Sequence, residues 1–491
     1  MMKRLIFLSA LMLAAAPLKA QFFRNGEDPG QLRWFSVETP HYEIIFPQGT
    51  DSLARVYGRQ LEQFRVPIGR SYGTTPGEGQ RRKMPVVLHT HNPYSNGSVG
   101  WAPRRMDLYT QPDPGGADPM PWSIQLTSHE PRHQAQLQQG RSFLNVLTGE
   151  IWNPVYWQIF LGWALGEGDA VVAETGLTAG GRARTADFLN YYQVALDQGD
   201  YRNWFRWRYG SYKHYTPDYY TLGYLTVAGA RYLSGNPLIV QETVDGARKR
   251  PWLLSSAFRS RVKENLGGKR FNDAFREILD SVNVHWQAEA AARGPFQEME
   301  QVTFAPDSPI DYGTPQVDDD GTVYALRDGH LHPGELVAIR DGKVSHVEYV
   351  HRTDVSIFYE PVKNRLYWTE IRKDPRWKQS GTSVVLYYDI NSGKTRTLAA
   401  GHRYYNAQPN DDGTLLATAE YLPNGETHVV LLSTEDGRAL RHFRAPDGIQ
   451  ASEFGWYGEY LYLSGVSAGG YGIYCISPDG SWKEVLAPSV Q

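Results

Sequence analysis

The stretch TSHEPRHQAQ, Thr127 to Gln136, places His129, Glu130 and His133 in the order H-E-x-x-H, with Pro131 inside the motif. Read as a helix, it projects two imidazoles from one face, one turn apart. Zinc hydrolysis needs protein ligands, an open position for water and a base beside that water. The segment offers His129 and His133 as metal ligands and Glu130 as the base. Pro131 sets a condition on this reading. If Ser128 is the N-cap, the proline falls in the first turn, where its missing N–H costs nothing. A helix starting near Trp122 has to bend at Pro131, because the ring meets the carbonyl four residues back. Both options keep the histidines about one turn apart.

The flanking sequence places this helix in a domain. Residues 121–300 show apolar residues at helical spacing in GEGDAVVAETGL, YYTLGYLTVAGARYL and FNDAFREILDSVNVHWQAEAAA. Residues 21–120 read as a mixed α/β subdomain. HYEIIF (His41–Phe46), MPVVLHT (Met84–Thr90) and RMDLYT (Arg105–Thr110) are strand-like, with a helix at DSLARVYGRQLEQF and the stretches NGSVGWAP and QPDPGG as boundaries. From 303 to 491 helical periodicity stops. ELVAIRDGKVSHVEY, SVVLYYDINSGKTRTL, HVVLLSTEDGRALRHF and GIYCISPDGSWKEVL each read as strand, glycine turn and strand, with turn glycines Gly342, Gly393, Gly437 and Gly480. Such a recurrence, at about 40–50 residues per unit, marks the blades of a β-propeller of the TolB or WD40 type. A β-sandwich with regular hairpins is the competing pattern. Four blades sit at the low end for closure, so a small or open propeller, or a longer chain, is expected.

Downstream of the histidines, WALGEGDAVVAET (Trp163–Thr175) carries Glu167 in a helical stretch. H-E-x-x-H followed by W-x-x-x-E-G-x-A resembles the gluzincin metalloproteases, whose second helix supplies a glutamate as third zinc ligand. The run EGDAVVAE is similar to the aminopeptidase branch of that group. The resemblance implies a helical, thermolysin-like zincin domain, a Zn²⁺ cofactor, Glu167 as third ligand and Glu174, seven residues on, supporting the ligands from the same helical face. Asp169 points elsewhere. Tyr220-Thr221-Leu222-Gly223 matches the branch's Y-x-x-G, which implies that Tyr220 steadies the oxyanion, with Tyr219 as its neighbour. The resemblance also implies an edge strand that pairs with substrate, a place that GWAPRRMDLYTQP occupies. It covers about residues 35–300. The branch's G-x-M-E-N exopeptidase motif is missing, which implies an endopeptidase-like site.

The fold class expected is therefore multidomain α+β: a mixed α/β subdomain, a helical zincin-type domain and an all-β propeller-like domain. With 50 Lys plus Arg against 53 Asp plus Glu, the chain lacks the basic field of a nucleic-acid partner. The N-terminus MMKRLIFLSALMLAAAPLKAQFF reads as a cleavable signal peptide over residues 1–20, its apolar run too short for a membrane span. A single cysteine, Cys475, makes no internal disulfide, which fits a periplasmic or cell-surface protein. The function expected is an exported zinc metallopeptidase acting on peptide or protein substrates. The alternative is a catalytically inactive zincin-like scaffold whose propeller binds protein or glycan partners. His89 and His91 in HTHN read as a core or solvated pair, and DDDG and NDDG as ordinary turns.

Overall fold

The computed structural model describes residues 26–115, 118–140, 144–211, 213–248, 263–303, 308–351 and 356–490; the expected signal peptide lies outside the described residues. The chain is a multidomain α+β protein with helices, a five-stranded sheet and four separate four-stranded sheets.

The first sheet has the order β1 (Trp34–Glu38), β2 (Tyr42–Pro47), β3 (Met84–His89), β5 (Arg104–Tyr109), β4 (Asn96–Trp101). Strands β2, β3 and β5 run parallel, and helix α1 (Asp51–Tyr72) makes the crossover between β2 and β3. Alternation sends Ile44, Val86, Met106 and Leu108 into a core with Leu61 of α1 and Leu126 of the next helix, α2 (Trp122–Gln139). One sequence expectation is corrected here. NGSVGWAP is not a boundary: Asn96–Trp101 is the strand β4, antiparallel to β5, and β4 is the edge of the sheet. The segment around Arg104–Tyr109, expected at the edge, is interior. Glycines and short polar residues hide β4 from a reading based on apolar alternation.

Helix α2 starts at Trp122, not at Ser128, so Pro131 lies in its interior. The carbonyl of Thr127 thereby loses its usual donor. The helix continues to Gln139 regardless, buried throughout from Gln125 onward. Most of its polar side chains are paired rather than solvated, Glu130 Oε2 and Gln134 Oε1 being the exceptions. Gln138 accepts from Gly77 N (2.9 Å) and donates to Glu78 O (2.8 Å), and Gln139 donates to Asp245 Oδ1 (2.9 Å). This satisfaction is what makes burial of so polar a helix tolerable.

Two short helices, α3 (Leu144–Thr148) and α4 (Trp152–Phe160), lead to α5 (Gly162–Leu177). Helices α6 (Asn190–Asp197), α7 (Trp204–Tyr209), α8 (Tyr219–Ser234), α9 (Ile239–Arg248) and α10 (Phe271–Arg293) complete the helical part. Helices α5 and α8 cross with their backbones in contact. A Cβ on Gly168 would lie 2.0 Å from the carbonyl carbon of Gly223, and one on Gly223 would lie 1.7 Å from the oxygen of Ala164. No side chain fits at either position.

The remaining strands form four antiparallel meanders: β6–β9 (Ile310–Val317, Val323–Gly329, His332–Arg340, Lys343–Tyr349), β10–β13 (Phe358–Glu360, Arg365–Lys373, Gly381–Asp389, Lys394–His402), β14–β17 (Tyr404–Pro409, Leu415–Tyr421, Thr427–Ser433, Ala439–Arg444) and β18–β21 (Gln450–Tyr457, Tyr460–Ser467, Gly470–Ile476, Trp482–Ser489). Each hairpin picked out in the sequence forms the last two strands of one such blade. Gly342, Gly393, Gly437 and Gly480 turn them at φ of 73°, 63°, 69° and 92°, values that disfavour a side chain. DDDG is an ordinary turn: Asp318 Oδ1 accepts from the backbone N–H of Asp320 (3.0 Å) and Thr322 (2.8 Å). The blades dock on the first sheet. Arg403 Nη1 donates to Thr90 O (2.9 Å), Tyr405 OH to Pro93 O (2.6 Å) and Asn92 Nδ2 to Gln379 Oε1 (2.7 Å). Gln450 Oε1, from the fourth blade, accepts from Trp122 N (3.1 Å) and so caps α2, whose Pro121 has no capping side chain. Among the described residues no helix is long and apolar enough to cross a membrane.

The glycine crossing makes a direct prediction. Gly223→Ala should lower unfolding stability by about 3 kcal/mol or more, since backbone cannot yield to the new methyl group. Gly176→Ala, in the same α5 but facing open space, should be neutral or stabilising by about 0.5–1 kcal/mol. Denaturant melts of the two variants check this; equal effects would contradict the close-approach account.

Candidate metal centre

Helix α2 brings His129 and His133 to one face, and α5 brings Glu167 opposite them. His129 Nε2 and His133 Nε2 are 3.2 Å apart. Glu167 Oε2 is 3.3 Å from the first and 3.0 Å from the second. All three residues are buried. Three ligand atoms at about 2.0–2.1 Å from one zinc ion, at tetrahedral angles, are about 3.3–3.4 Å apart. Pro131 therefore does not splay the pair, and Glu167 does not turn away.

The outer nitrogens decide which way the lone pairs face. His133 Nδ1 lies 3.0 Å from Gln136 Oε1. The amide of Gln136 is oriented by its Nε2, which donates to Gly166 O (2.9 Å) and Asp169 Oδ2 (2.9 Å), and its oxygen also accepts from Trp157 Nε1 (3.1 Å). His133 Nδ1 must then donate. His129 Nδ1 lies 2.7 Å from Glu174 Oε2. Arg182 Nη2 comes within 2.8 Å of the same nitrogen, but a guanidinium only donates and one Nδ1 cannot serve both. Arg182 already donates to Glu174 through Nε (2.8 Å) and Nη2 (3.0 Å), so the shorter carboxylate contact takes the imidazole N–H. Both Nε2 atoms are then left as acceptors facing a carboxylate oxygen. Three lone pairs at this spacing repel unless positive charge lies between them.

The charge states agree. Burial opposes ionisation of Glu167, but the facing His133 and His129 outweigh it and hold the carboxyl far below its usual range. Burial likewise opposes a charged His133, and Glu167 overrides it, pushing the imidazole up to about 9. In the absence of another cation a proton fills the gap. Glu174 is fully buried, yet Arg182 and His129 hold it down to about 2.

Glu130 follows His129 into a cleft of about 770 Å³ that the triad, Tyr220 and residues 95–99 also line. Its Oε2 is buried without a hydrogen-bond partner, and burial raises its pKa. Gly97 of the edge strand β4 leaves room for it: a Cβ there would lie 2.4 Å from Glu130 Oε1. Tyr220 stands in the first turn of α8, where Asp218 Oδ1 caps the helix by accepting from Tyr220 N (2.9 Å) and Thr221 N (3.2 Å). Its ring centroid is 6.4 Å from that of His129, and the Arg182 guanidinium lies 4.9 Å over the ring. Burial and the nearby Glu167 push the phenol above its usual range, so it stays a donor. Tyr219 stacks on Tyr220 at 4.9 Å and is not part of the cleft lining.

Two residues here had no signal in the motif reading. Arg182 enters through the Gly180-Gly181 turn after α5, where Gly181 has φ of 102°; a buried Glu174 one turn from a helix end demands such a cation. Arg132, inside the motif, is completely buried and faces away from the cleft. It grips Asp169 through Nε (2.7 Å) and Nη2 (2.8 Å), and donates to Ile68 O (3.0 Å) and Ser71 Oγ (2.9 Å) of α1. Arg231 of α8 donates to Asp169 Oδ1 (2.9 Å). This network locks α1, α2, α5 and α8 together behind the triad. His89 is likewise structural, with Nδ1 3.0 Å from Asp28 and Nε2 2.9 Å from Asp107.

No family model matches this chain, and no curated protein is similar to it. Among solved structures it is similar to a prolyl endopeptidase from a study of two such enzymes and their inter-domain dynamics (15% identity, 38% of this chain and 30% of that chain, TM-score 0.29). It is also similar to the β-propeller domain of the Trilobed protease from Pyrococcus furiosus (11% identity, 36% and 58%, TM-score 0.27) and to TolB from Acinetobacter baumannii (11% identity, 37% and 45%, TM-score 0.29). The chain spans less than two thirds of each of these proteins. Likeness this slight assigns neither family nor activity.

Arg132→Met should cost about 3–5 kcal/mol in urea unfolding, because Asp169 is left buried with less compensating charge. A loss within about 0.5 kcal/mol of zero, the range of an ordinary surface change, would contradict the locking role.

Proposed function

We propose that the chain is a zinc-dependent peptidase of gluzincin type, with His129, His133 and Glu167 as metal ligands. The observation that carries this reading is the convergence of His129 Nε2, His133 Nε2 and Glu167 Oε2 within 3.3 Å of one another, beside Glu130, whose buried Oε2 has no hydrogen-bond partner. The donor set, two imidazoles and a carboxylate with an open side toward a cleft, suits catalytic zinc. When bound, the ion supplies Lewis-acid polarisation of a carbonyl and acidification of water.

The chain's own residues supply the rest. Glu130, desolvated and unpaired, accepts the proton of the attacking water and delivers it to the leaving amine. Tyr220 donates its phenolic hydrogen bond to the carbonyl oxygen as negative charge develops there. Glu174, held by Arg182, fixes the tautomer and ring angle of His129, and Gln136 does the same for His133. The free edge of β4 runs along the cleft, where an extended peptide can add as a further strand and be held through backbone hydrogen bonds. Recognition through backbone suits an endopeptidase-like site on peptide or protein substrates.

Two experiments test this. His133→Ala should lower the zinc content of the purified protein by one equivalent per chain, whereas Glu130→Gln should keep wild-type zinc and lose hydrolysis of a peptide library. If wild type and His133→Ala carry the same zinc, the ligand assignment is wrong. Tyr220→Phe should keep KM and zinc while kcat drops about 10²–10³-fold, the size of a lost oxyanion donor; an unchanged kcat would remove Tyr220 from the chemistry.

A further inference from the structure

The third blade carries a second constellation of metal-binding side chains, far in sequence from the first. Glu420 on β15 stands directly opposite His428 on β16. His442 on β17 stands opposite Val430, two residues along from His428, so all three side chains emerge on one face of the sheet. One ligand atom from each lies within 4.8 Å of the others.

The surroundings engage these groups only loosely, through His402 on Glu420 and Glu426 near His428. His428 Nε2 is buried and makes no hydrogen bond; Glu426 Oε2 comes to 3.4 Å without the geometry of one. Among the described residues no Lys or Arg forms an ion pair with Glu420. Two arginines of this blade have their hydrogen bonds elsewhere: Arg403 Nη1 to the carbonyls of Thr90 (2.9 Å) and Asn92 (3.3 Å), and Arg444 Nη2 to Glu426 Oε1 (3.1 Å) and Asp447 Oδ1 (2.8 Å). Glu420 Oε1 instead faces His402 Nδ1 at 3.3 Å, and the His402 ring is stacked on Tyr404 with centroids 4.5 Å apart and planes 5° apart. A carboxylate so oriented by a fixed imidazole is the arrangement that steadies a metal ligand.

We infer that Glu420, His428 and His442 form a second site, which takes a borderline divalent transition-metal ion such as Zn²⁺. Two imidazoles and one carboxylate select against Ca²⁺ and Mg²⁺, which prefer oxygen ligands. The three ligand atoms lie within 4.8 Å of one another, a spacing that a bound ion would draw in. His442, the exposed member, closes it by a change of rotamer, and water completes the coordination. Such an ion ties β15, β16 and β17 together and stabilises the blade. It has no part in hydrolysis, so the site stands or falls independently of the peptidase reading.

The test is zinc stoichiometry of the full-length protein after dialysis against buffered Zn²⁺. In the His133→Ala protein, which lacks the first site, one equivalent should remain. Adding His442→Ala should remove it, and His442→Ala alone should keep peptidase activity. A second measurement uses Co²⁺ in the same His133→Ala background: it should give a ligand-field spectrum that Glu420→Gln weakens, with at least about tenfold poorer Co²⁺ affinity. A His133→Ala protein that holds no zinc, or one whose zinc and Co²⁺ spectrum survive His442→Ala unchanged, overturns the second site. Equal zinc in wild type and His133→Ala, with loss on His442→Ala, would instead overturn the first site and leave the second standing.

Discussion

The crossing of α5 and α8 at Gly168 and Gly223 governs the cleft. Backbone meets backbone there because neither residue has a Cβ. The residue just before Gly168 is Glu167, and the residue three before Gly223 is Tyr220. One contact thus fixes the carboxylate and the phenol relative to each other. In this chain it links the Glu167-Gly168 pair to the Tyr220-Thr221-Leu222-Gly223 run through their two glycines. A wider helix separation would carry Tyr220 away from His129 and open the cleft to bulk water.

Charge is organised in two layers around this crossing. On the cleft side, Glu167 faces two imidazoles whose outer nitrogens are engaged by Glu174 and Gln136. On the far side, Asp169 faces Arg132 and Arg231. Glu167 and Asp169 are two residues apart on one helix, so they point in different directions. The one faces the two imidazoles, the other is neutralised by two arginines. Replacing a buried ion pair by apolar residues is often neutral in stability, so the Arg132–Asp169 pair earns its place by orientation. It holds α2 against α5 without adding charge to the cleft.

Much of this was legible in the sequence, and the reasons differ by element. The four hairpins could be read because positive-φ glycines fix each turn and apolar alternation fixes each strand. The pairing of His129 with His133 could be read because i, i+4 spacing is a short-range property of helices, whereas Glu167, on another helix, is reached only through the resemblance to the gluzincins. Strand β4 could not: its glycine and serine content suits close approach to α2, and that approach is a tertiary fact. The start of α2 at Trp122 was open for a related reason. Its cap comes from Gln450, more than three hundred residues away, in a different domain. Arg132 and Arg182 were silent for the same reason, since an arginine becomes structural only when its buried carboxylate is known.

The central claim is that a single cation sits between His129, His133 and Glu167. Its most direct test is an anomalous difference map at the zinc edge from crystals of the zinc-saturated protein. The account predicts a peak about 2.0–2.2 Å from His129 Nε2, His133 Nε2 and a Glu167 carboxylate oxygen. A map with no peak at that position, in a protein whose side chains are otherwise in place, would contradict it.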